Sequence, residues 1–228
     1  MKIGVVVFPG SNCDHDAWYA VSEGLHQQAE FIWHDSDNLK GVDAVILPGG
    51  FSYGDYLRCG AIAKFSPVMG AVKQFAREGG FVLGICNGFQ VLTEAGLLPG
   101  ALVRNAGLKF VCRTLPLEVA TSDSAFTNCT SKGQILQLPV AHGEGCFVAD
   151  ADTIDELEKN DRVVLRYRGE CNGSMHDIAG ILNEGRNVMG MMPHPERAAD
   201  PLLGGADGLF ILRSLVNAFS VAAIPSNS

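Results

Sequence analysis

The sequence lacks a long apolar run, a basic cluster and a C-x-x-C pair, and each absence excludes a class of protein. The apolar stretch after Met1 is far shorter than the roughly 20 residues of a membrane span, and it is too short for the core of a signal peptide. We therefore expect no membrane association and a cytoplasmic location. The net charge of −8, without a run of lysine or arginine, argues against nucleic acid as a partner.

The cysteines form no recognisable pairs. There are seven of them, an odd number, and they are scattered along the chain. This pattern argues against a disulfide framework and against a zinc site, so we expect no metal in this chain and unreactive thiols at most of the positions. The seven are Cys13, Cys59, Cys86, Cys112, Cys129, Cys146 and Cys171.

The length of 228 residues suits one domain or a tightly joined pair, and the alternation of patterns leads us to expect a single α/β domain over residues 1–228. Hydrophobic residues make up 47% and charged residues 18%, with no linker or low-complexity tract, as in ordinary globular proteins. Residues 2–8 predict a strand covered on both faces, and a helix capped by Ser11 or Asn12 is expected to run to about Gln28. Strands follow at 29–33 and 44–47, which is typical of a doubly wound sheet. Further helices are predicted at 67–77 and 152–160, and strands at 81–85, 110–113, 115–119, 135–140, 163–167, 178–182 and 187–192, the last two as a hairpin.

Residues 79–90 form the most informative segment. A short apolar strand ends at Cys86, and a helix begins near Asn87, with Gly84 and Gly88 two positions to either side of the cysteine. The G-x-C-x-G pattern predicts a nucleophile elbow, a tight turn that lifts one side chain clear of the sheet. A cysteine at a helix N-terminus also favours the reactive thiolate. The alternative is a buried structural cysteine between two packing glycines.

A glycine-rich loop at residues 48–58 follows the strand at 44–47. It lacks the Lys-Ser/Thr ending of a phosphate-binding loop, so we expect no nucleotide there. Open α/β sheets bind their ligands at the carboxyl ends of strands, and glycines let backbone N–H groups point into such a cleft. The loop is therefore expected to supply an oxyanion donor beside Cys86, the alternative being a surface turn.

Residues 193–197, Pro-His-Pro-Glu-Arg, provide a second candidate element. The prolines restrict the backbone around His194, and an extended chain puts His194 and Glu196 on one side. An imidazole oriented by a carboxylate is what a cysteine nucleophile needs as proton acceptor and donor. A structural histidine and a surface ion pair at Glu196 are the alternatives.

These motifs carry a family resemblance. The segments 84–90 and 193–196 resemble the class I (triad) glutamine amidotransferases, whose catalytic order is Cys, His, Glu. Segments 8–14, 48–58, 140–145 and 190–197 are similar to the branch that serves as the glutaminase subunit of phosphoribosylformylglycinamidine synthases, and the similarity spans nearly the whole chain. Asn87 after the nucleophile and the Phe-Ser-Tyr-Gly-Asp loop select this branch. The implied fold is a flavodoxin-like three-layer α/β sandwich with a mostly parallel central sheet.

The resemblance also implies roles for individual residues. Cys86 would be the nucleophile, His194 the general acid and base, and Glu196 the residue that orients His194. Gly50 and Asn87 would donate oxyanion N–H groups. Glutamine-binding candidates are Gln90, Phe51, His142, Gly143, Asn172 and Ser174, of which His142 or Ser174 could equally face a synthetase.

The implied reaction is hydrolysis of glutamine to glutamate and ammonia through a cysteine thioester. The ammonia would pass to a large synthetase subunit that makes formylglycinamidine ribonucleotide in purine biosynthesis, with a small third protein bridging the two. No cofactor is expected in this chain, whereas ATP and Mg²⁺ are expected on the synthetase subunit. Two alternatives stay open: an amidotransferase of another pathway, and a non-catalytic cysteine sensor or chaperone on the same scaffold, which would not need His194 and Glu196.

Overall fold

A computed structural model describes residues 1–55, 57–58, 60–169 and 172–222. Cys59 and Cys171, two of the seven cysteines, and Tyr56 of the glycine-rich loop lie outside the described residues. The strands are β1 (Lys2–Val7), β2 (Gln28–Trp33), β3 (Ala44–Leu47), β4 (Phe81–Ile85), β5 (Ala101–Val103), β6 (Val111–Val119), β7 (Ile135–His142), β8 (Cys146–Val148), β9 (Val163–Tyr167), β10 (Ile178–Leu182) and β11 (Val188–Met191). The α-helices are α1 (Asp14–Tyr19), α2 (Pro67–Arg77), α3 (Asn87–Glu94), α4 (Ala151–Lys159) and α5 (Gly208–Ala222).

Within the described ranges, nine strands form one sheet in the order β2-β1-β3-β4-β11-β10-β9-β6-β7. Pairing is parallel from β2 through β11 and antiparallel from β11 through β7. The central strands β3, β4 and β11 have their residues buried almost throughout, which explains their continuous apolar sequences. The doubly wound parallel part of the sheet agrees with the alternation of strand and helix patterns. In the described part of the chain, no helix is long and apolar enough to cross a membrane.

The first helix is shorter than predicted. α1 ends at Tyr19 and continues as one π-helical turn only to Gly24, so the expected helix to Gln28 is wrong. His26 has a φ of 54°, a left-handed conformation that ends a right-handed helix. Gln28 instead begins β2, where it pairs with Lys2.

Three further differences lie beyond residue 100. The two strands predicted at 110–113 and 115–119 are one strand, β6, because it pairs with β7 along nearly its whole length. The small sheet of β5 and β8 has no counterpart among the predictions. Helix α5 was also not predicted, although it buries Ile211, Leu212 and Leu215.

The elbow between β4 and α3 is as tight as the glycine pattern predicts. Cys86 has φ 50° and ψ −106°, a conformation that is strained for a residue with a side chain. A Cβ on Gly84 would lie 2.8 Å from the carbonyl carbon of Gly88, and a Cβ on Gly88 would overlap the carbonyl oxygen of Leu47. Helix α3 can therefore approach β3 and β4 only if both positions are glycine.

Replacing Gly88 with alanine should destabilise the fold by about 2 kcal/mol or more, because the new methyl group meets rigid backbone at Leu47. Gly70 is the matched control, since it is also helical but exposed, and a Cβ added there would meet no atom within 4 Å apart from its chain neighbours and the backbone of its own helix. Gly70→Ala should stabilise by roughly 0.5–1 kcal/mol. Urea unfolding of both variants measures the difference, and equal stabilities would contradict the packing argument.

Candidate active site

Two neighbouring parallel strands bring Cys86 and His194 together. Cys86 follows β4, His194 lies shortly after β11, and the two strands pair in register with Ile85 opposite Met191. The backbone N–H of Cys86 donates to the carbonyl of Met191 at 2.7 Å, so the pairing extends to the nucleophile position itself. Both side chains thus lie at the carboxyl edge of the sheet, where ligands bind in open α/β folds.

His194 is held by Glu196 in the protein interior. Nδ1 of His194 lies 2.6 Å from Oε1 of Glu196, and the two side chains are 2% and 0% exposed. The His194 backbone N–H donates to the carbonyl of Pro139, which fixes the segment against β7. Nε2 of His194 has no hydrogen-bond partner among the described residues, so it is available to the thiol or to a ligand.

The charge state of His194 follows from its neighbours. Burial by itself lowers the pKa of His194, but the Glu196 carboxylate and the Cys86 and Cys13 thiols together raise this pKa well above its usual range. A buried imidazolium beside a carboxylate can give a proton to a leaving group and take one back from water. It is also a suitable counter-ion for a thiolate.

Cys13 and Arg197 lie close to this pair, and neither was predicted as a site residue. Nη2 of Arg197 donates to Sγ of Cys13 at 3.1 Å, and Nε of Arg197 donates to Asp16 at 3.0 Å. Burial raises the pKa of the Cys13 thiol. One donor atom from each of Cys13, His194 and Glu196 lies within 4.8 Å of the others, a set that suits zinc.

A cavity of about 90 Å³ opens beside Cys86. Gly49, which the sequence did not distinguish from its neighbours, lets the loop pass directly over the site, because a Cβ there would lie 2.7 Å from Cε1 of His194 and 3.2 Å from Cβ of Cys86. Most of the predicted site residues line this cavity: Cys86, His194, Gly50, Asn87, Gln90, Phe51, His142 and Gly143.

Asn172 and Ser174 do not contact this cavity. The Asn172 side-chain amide donates to the carbonyl of Gly145 at 2.7 Å, and the Ser174 hydroxyl accepts from the Phe147 N–H at 2.9 Å. Both residues are buried, and their polar atoms hold the segment after His142 in place. Their predicted contact with glutamine is therefore not supported by their position.

His142 is a neutral imidazole whose tautomer is fixed by Asn105. The Asn105 amide nitrogen donates to the carbonyls of Lys109 and His142, so its Oδ1 must accept, which makes Nδ1 of His142 the protonated nitrogen at 3.2 Å. Nε2 of His142 then carries a lone pair, and it has no partner within the described residues. Burial, with the positive charge of His194, lowers the pKa of His142 to about 4. Asn105 was missed because no local motif surrounds it.

A parallel α/β sheet with a cysteine elbow and a buried His-Glu pair is typical of enzymes that attack a carbonyl with a thiol. Residues 1–204 match the CobB/CobQ-like glutamine amidotransferase domain, and the chain belongs to that family. It is thus a glutamine amidotransferase, which confirms the resemblance inferred from the motifs and disfavours a non-catalytic cysteine sensor.

Relatives match the chain over nearly its full length. The phosphoribosylformylglycinamidine synthase subunit PurQ of Alkaliphilus metalliredigens is 57% identical, over 95% of this chain and 96% of the relative. The protein of the same name from Koribacter versatilis is 55% identical, over 96% and 99%. A chain in the structure of PurLQS from Thermotoga maritima superposes with a TM-score of 0.88 at 44% identity, covering 95% of this chain and 97% of that one. This likeness confirms the flavodoxin-like class I amidotransferase fold.

The low pKa of His142 predicts a pH-dependent stability. Because folding lowers this pKa from 6.5 to about 4, the unfolded chain binds more protons between these values, and the wild type loses stability as the pH falls through that window. His142→Asn keeps a donor towards Asn105 but does not titrate. Between pH 7 and pH 5 the wild type should lose up to about 2 kcal/mol more than the variant in urea unfolding. Equal losses would show that His142 is not held neutral.

The site also predicts selective alkylation. An electrophilic glutamine analogue should modify Cys86, which lines the cavity beside His194, and should spare Cys13, which is 1% exposed and protonated. The exposed thiol of Cys112 is the internal control for mere accessibility. Peptide mass spectrometry measures the distribution, and comparable labelling of Cys86 and Cys112 would contradict an activated elbow.

Proposed function

We propose that this chain is the glutaminase subunit of a phosphoribosylformylglycinamidine synthase. The observation that carries the proposal is the identity of 57% and 55% with two subunits of that name over nearly their whole length. An amidotransferase of another pathway would share the Cys86, His194 and Glu196 site, so the site supports the reaction and the whole-length identity favours this particular synthase.

In the proposed first step, the Cys86 thiolate attacks the side-chain carbonyl carbon of glutamine. The C=O electrons move to oxygen, and backbone N–H groups of Gly50 and Asn87 stabilise the oxyanion. Both residues line the cavity beside the cysteine, which supports this assignment. The oxyanion then collapses, the C–N bond breaks, and the His194 imidazolium gives its proton to the departing amide nitrogen, which leaves as ammonia.

In the second step, His194 acts as a base. It takes a proton from water as the water oxygen attacks the thioester carbonyl, and the C–S bond breaks to release glutamate and regenerate the thiolate. Glu196 stabilises the cation that His194 becomes again, and it keeps the imidazole oriented through the 2.6 Å hydrogen bond to Nδ1.

Glutamine would be held by the residues that line the cavity, namely Gln90, Phe51, His142 and Gly143. The unprotonated Nε2 of His142 is suited to accept a hydrogen bond from the α-ammonium group of glutamine. Asn172 and Ser174 would act indirectly, because they hold the backbone of Gly145 and Phe147.

Residues 1–228 would act as one glutaminase domain within a complex. The resemblance implies a large synthetase subunit that carries ATP and Mg²⁺ and a small bridging subunit, all in the cytoplasm. The structural relative was solved as part of PurLQS, which supports such an assembly. Ammonia would pass from Cys86 to the synthetase without release to solvent.

The proposal is tested by comparing glutamine with ammonium salt as the nitrogen source for synthesis. In the assembled synthase, Cys86→Ala should lower product formation from glutamine by on the order of 10³-fold or more, because no thioester can form. Formation of formylglycinamidine ribonucleotide from added ammonium salt should change by no more than about twofold, since the synthetase needs only the nitrogen. Cys112→Ala removes an exposed thiol and is the matched control. Loss of the ammonia-dependent reaction in Cys86→Ala would contradict the proposed division of labour.

A further inference from the structure

The loop that follows β3 has an unusual backbone. Tyr53, Asp55 and Leu57 have φ values of 56°, 51° and 72°, so three residues with side chains adopt the left-handed conformation within five positions. L-residues avoid this conformation, and a loop built this way does not keep its shape by local preference. This loop, residues 48–58, contains Gly50, which lines the cavity beside Cys86, and we call it the Gly50 loop. Contacts from outside the loop must therefore hold it.

On one side, the loop is held by the Tyr53 hydroxyl, which lies 2.9 Å from Nδ1 of His34 and 2.8 Å from the Ser66 hydroxyl. On the side of the elbow, the contact comes from the side chain of Asn87, the residue after Cys86. Oδ1 of Asn87 accepts from the Ser52 N–H at 3.2 Å, and Nδ2 donates to Oδ1 of Asp55 at 3.0 Å.

The Asn87 amide is also connected, through Gln90, to Glu144, another residue that lines the cavity. Nδ2 of Asn87 donates to Oε1 of Gln90 at 2.9 Å, and Nε2 of Gln90 donates to the carbonyl of Glu144 at 2.5 Å. The orientation of the Asn87 amide is unambiguous, because a flipped amide would put its NH₂ group against the Ser52 N–H. Asn87 is 2% exposed, so these hydrogen bonds are shielded from water.

The Ser52 N–H connects this contact to Gly50. It donates to the carbonyl of Gly50 at 2.9 Å as well as to Asn87, so one N–H joins the side chain of Asn87 to the backbone of Gly50. A displacement of the Asn87 amide is thereby transmitted to Gly50, the other residue proposed to donate an oxyanion N–H.

We propose that the Asn87 side chain, through its hydrogen bond to Asp55, is a positioning residue that holds the Gly50 loop at the distance from the elbow that the oxyanion requires. The inference rests on the proposed function, because it concerns the oxyanion formed from glutamine. Breaking the bond to Asp55 loosens the loop but leaves the bond from Asn87 to Gln90, so the loss falls on kcat rather than on KM for glutamine.

The test uses the assembled synthase, with kcat and KM for glutamate release as readouts. Asn87→Asp puts a carboxylate against Asp55 and also against Oε1 of Gln90, and it should lower kcat by on the order of 10²-fold, the cost of a misplaced oxyanion donor. The KM comparison is therefore made with the Asp55 variants, which keep the hydrogen bond from Asn87 to Gln90. In Asn87→Asp/Asp55→Asn the hydrogen bond is reversed, since the new amide at 55 donates to the new carboxylate at 87, and kcat should recover at least about tenfold. Asp55→Asn alone should lose less than Asn87→Asp, because its carbonyl oxygen still accepts from Asn87.

Asn217→Asp, the same chemical change on the exposed face of α5, is the matched control and should leave kcat unchanged. If thermal unfolding shows that Asn87→Asp is not folded, Asp55→Ala tests the same hydrogen bond by removing its partner in the loop. In that variant kcat should fall about tenfold, and KM should stay within about threefold of wild type. A kcat for folded Asn87→Asp within about threefold of wild type, or a double variant no faster than Asn87→Asp, would overturn the proposal, as would an unchanged kcat in Asp55→Ala.

Ammonia-dependent synthesis separates this inference from the proposed function. It should be equal in the wild-type and Asn87→Asp complexes, because ammonia bypasses the oxyanion. A wild-type complex without ammonia-dependent synthesis would refute the proposed function itself, whereas an intact ammonia reaction together with unchanged glutamate release in Asn87→Asp would refute only the role of the Asn87 side chain.

Discussion

The parallel pairing of β4 with β11 is the interaction on which the site depends. It places the elbow and the His194 segment at one edge of the sheet, and the hydrogen bond from the Cys86 N–H to Met191 carries the pairing up to the nucleophile. The strained φ of Cys86 persists because β4 is buried between β3 and β11 and cannot relax without disturbing both. The geometry of the site is therefore a property of the sheet and does not depend on the substrate.

Burial strengthens the attraction between His194 and Glu196, and it also makes the loss of either charge more destabilising. Two charges removed from water are stable only when each compensates the other, so the 2.6 Å contact between His194 and Glu196 is needed for the fold as well as for chemistry. The positive charge that this pair keeps at His194 also contributes to the neutral state of His142 across the cavity. Of these two histidines that line one cavity, His194 is thus positively charged at neutral pH and suited to proton transfer, whereas His142 is neutral and suited to accepting a hydrogen bond.

Two asparagine side chains organise the loops around this rigid edge. Asn105 accepts from His142 and from the Gly145 N–H, and it donates to two carbonyls, which fixes one wall of the cavity. Asn87 makes corresponding hydrogen bonds to Ser52 and Asp55 of the loop that follows β3. A buried amide with all of its hydrogen bonds satisfied is rigid, because each lost bond would leave an unpaired polar group. The sheet supplies the nucleophile and the base, and the two amides set the shape of the space between them.

The sequence by itself determined the features that depend on neighbouring residues. The elbow, the bounds of β4 and the His-x-Glu segment were predictable because steric demands around Cys86 and the restriction of two prolines act within a few positions. Only the tertiary structure decided the rest. The first helix ended early because Gln28 pairs with β1 as the first residue of β2, and Asn172 faces the backbone of Gly145 instead of the cavity. The surroundings of the catalytic pair, such as Asn105, come from contacts between distant segments, and no local pattern records which buried polar group will meet which partner.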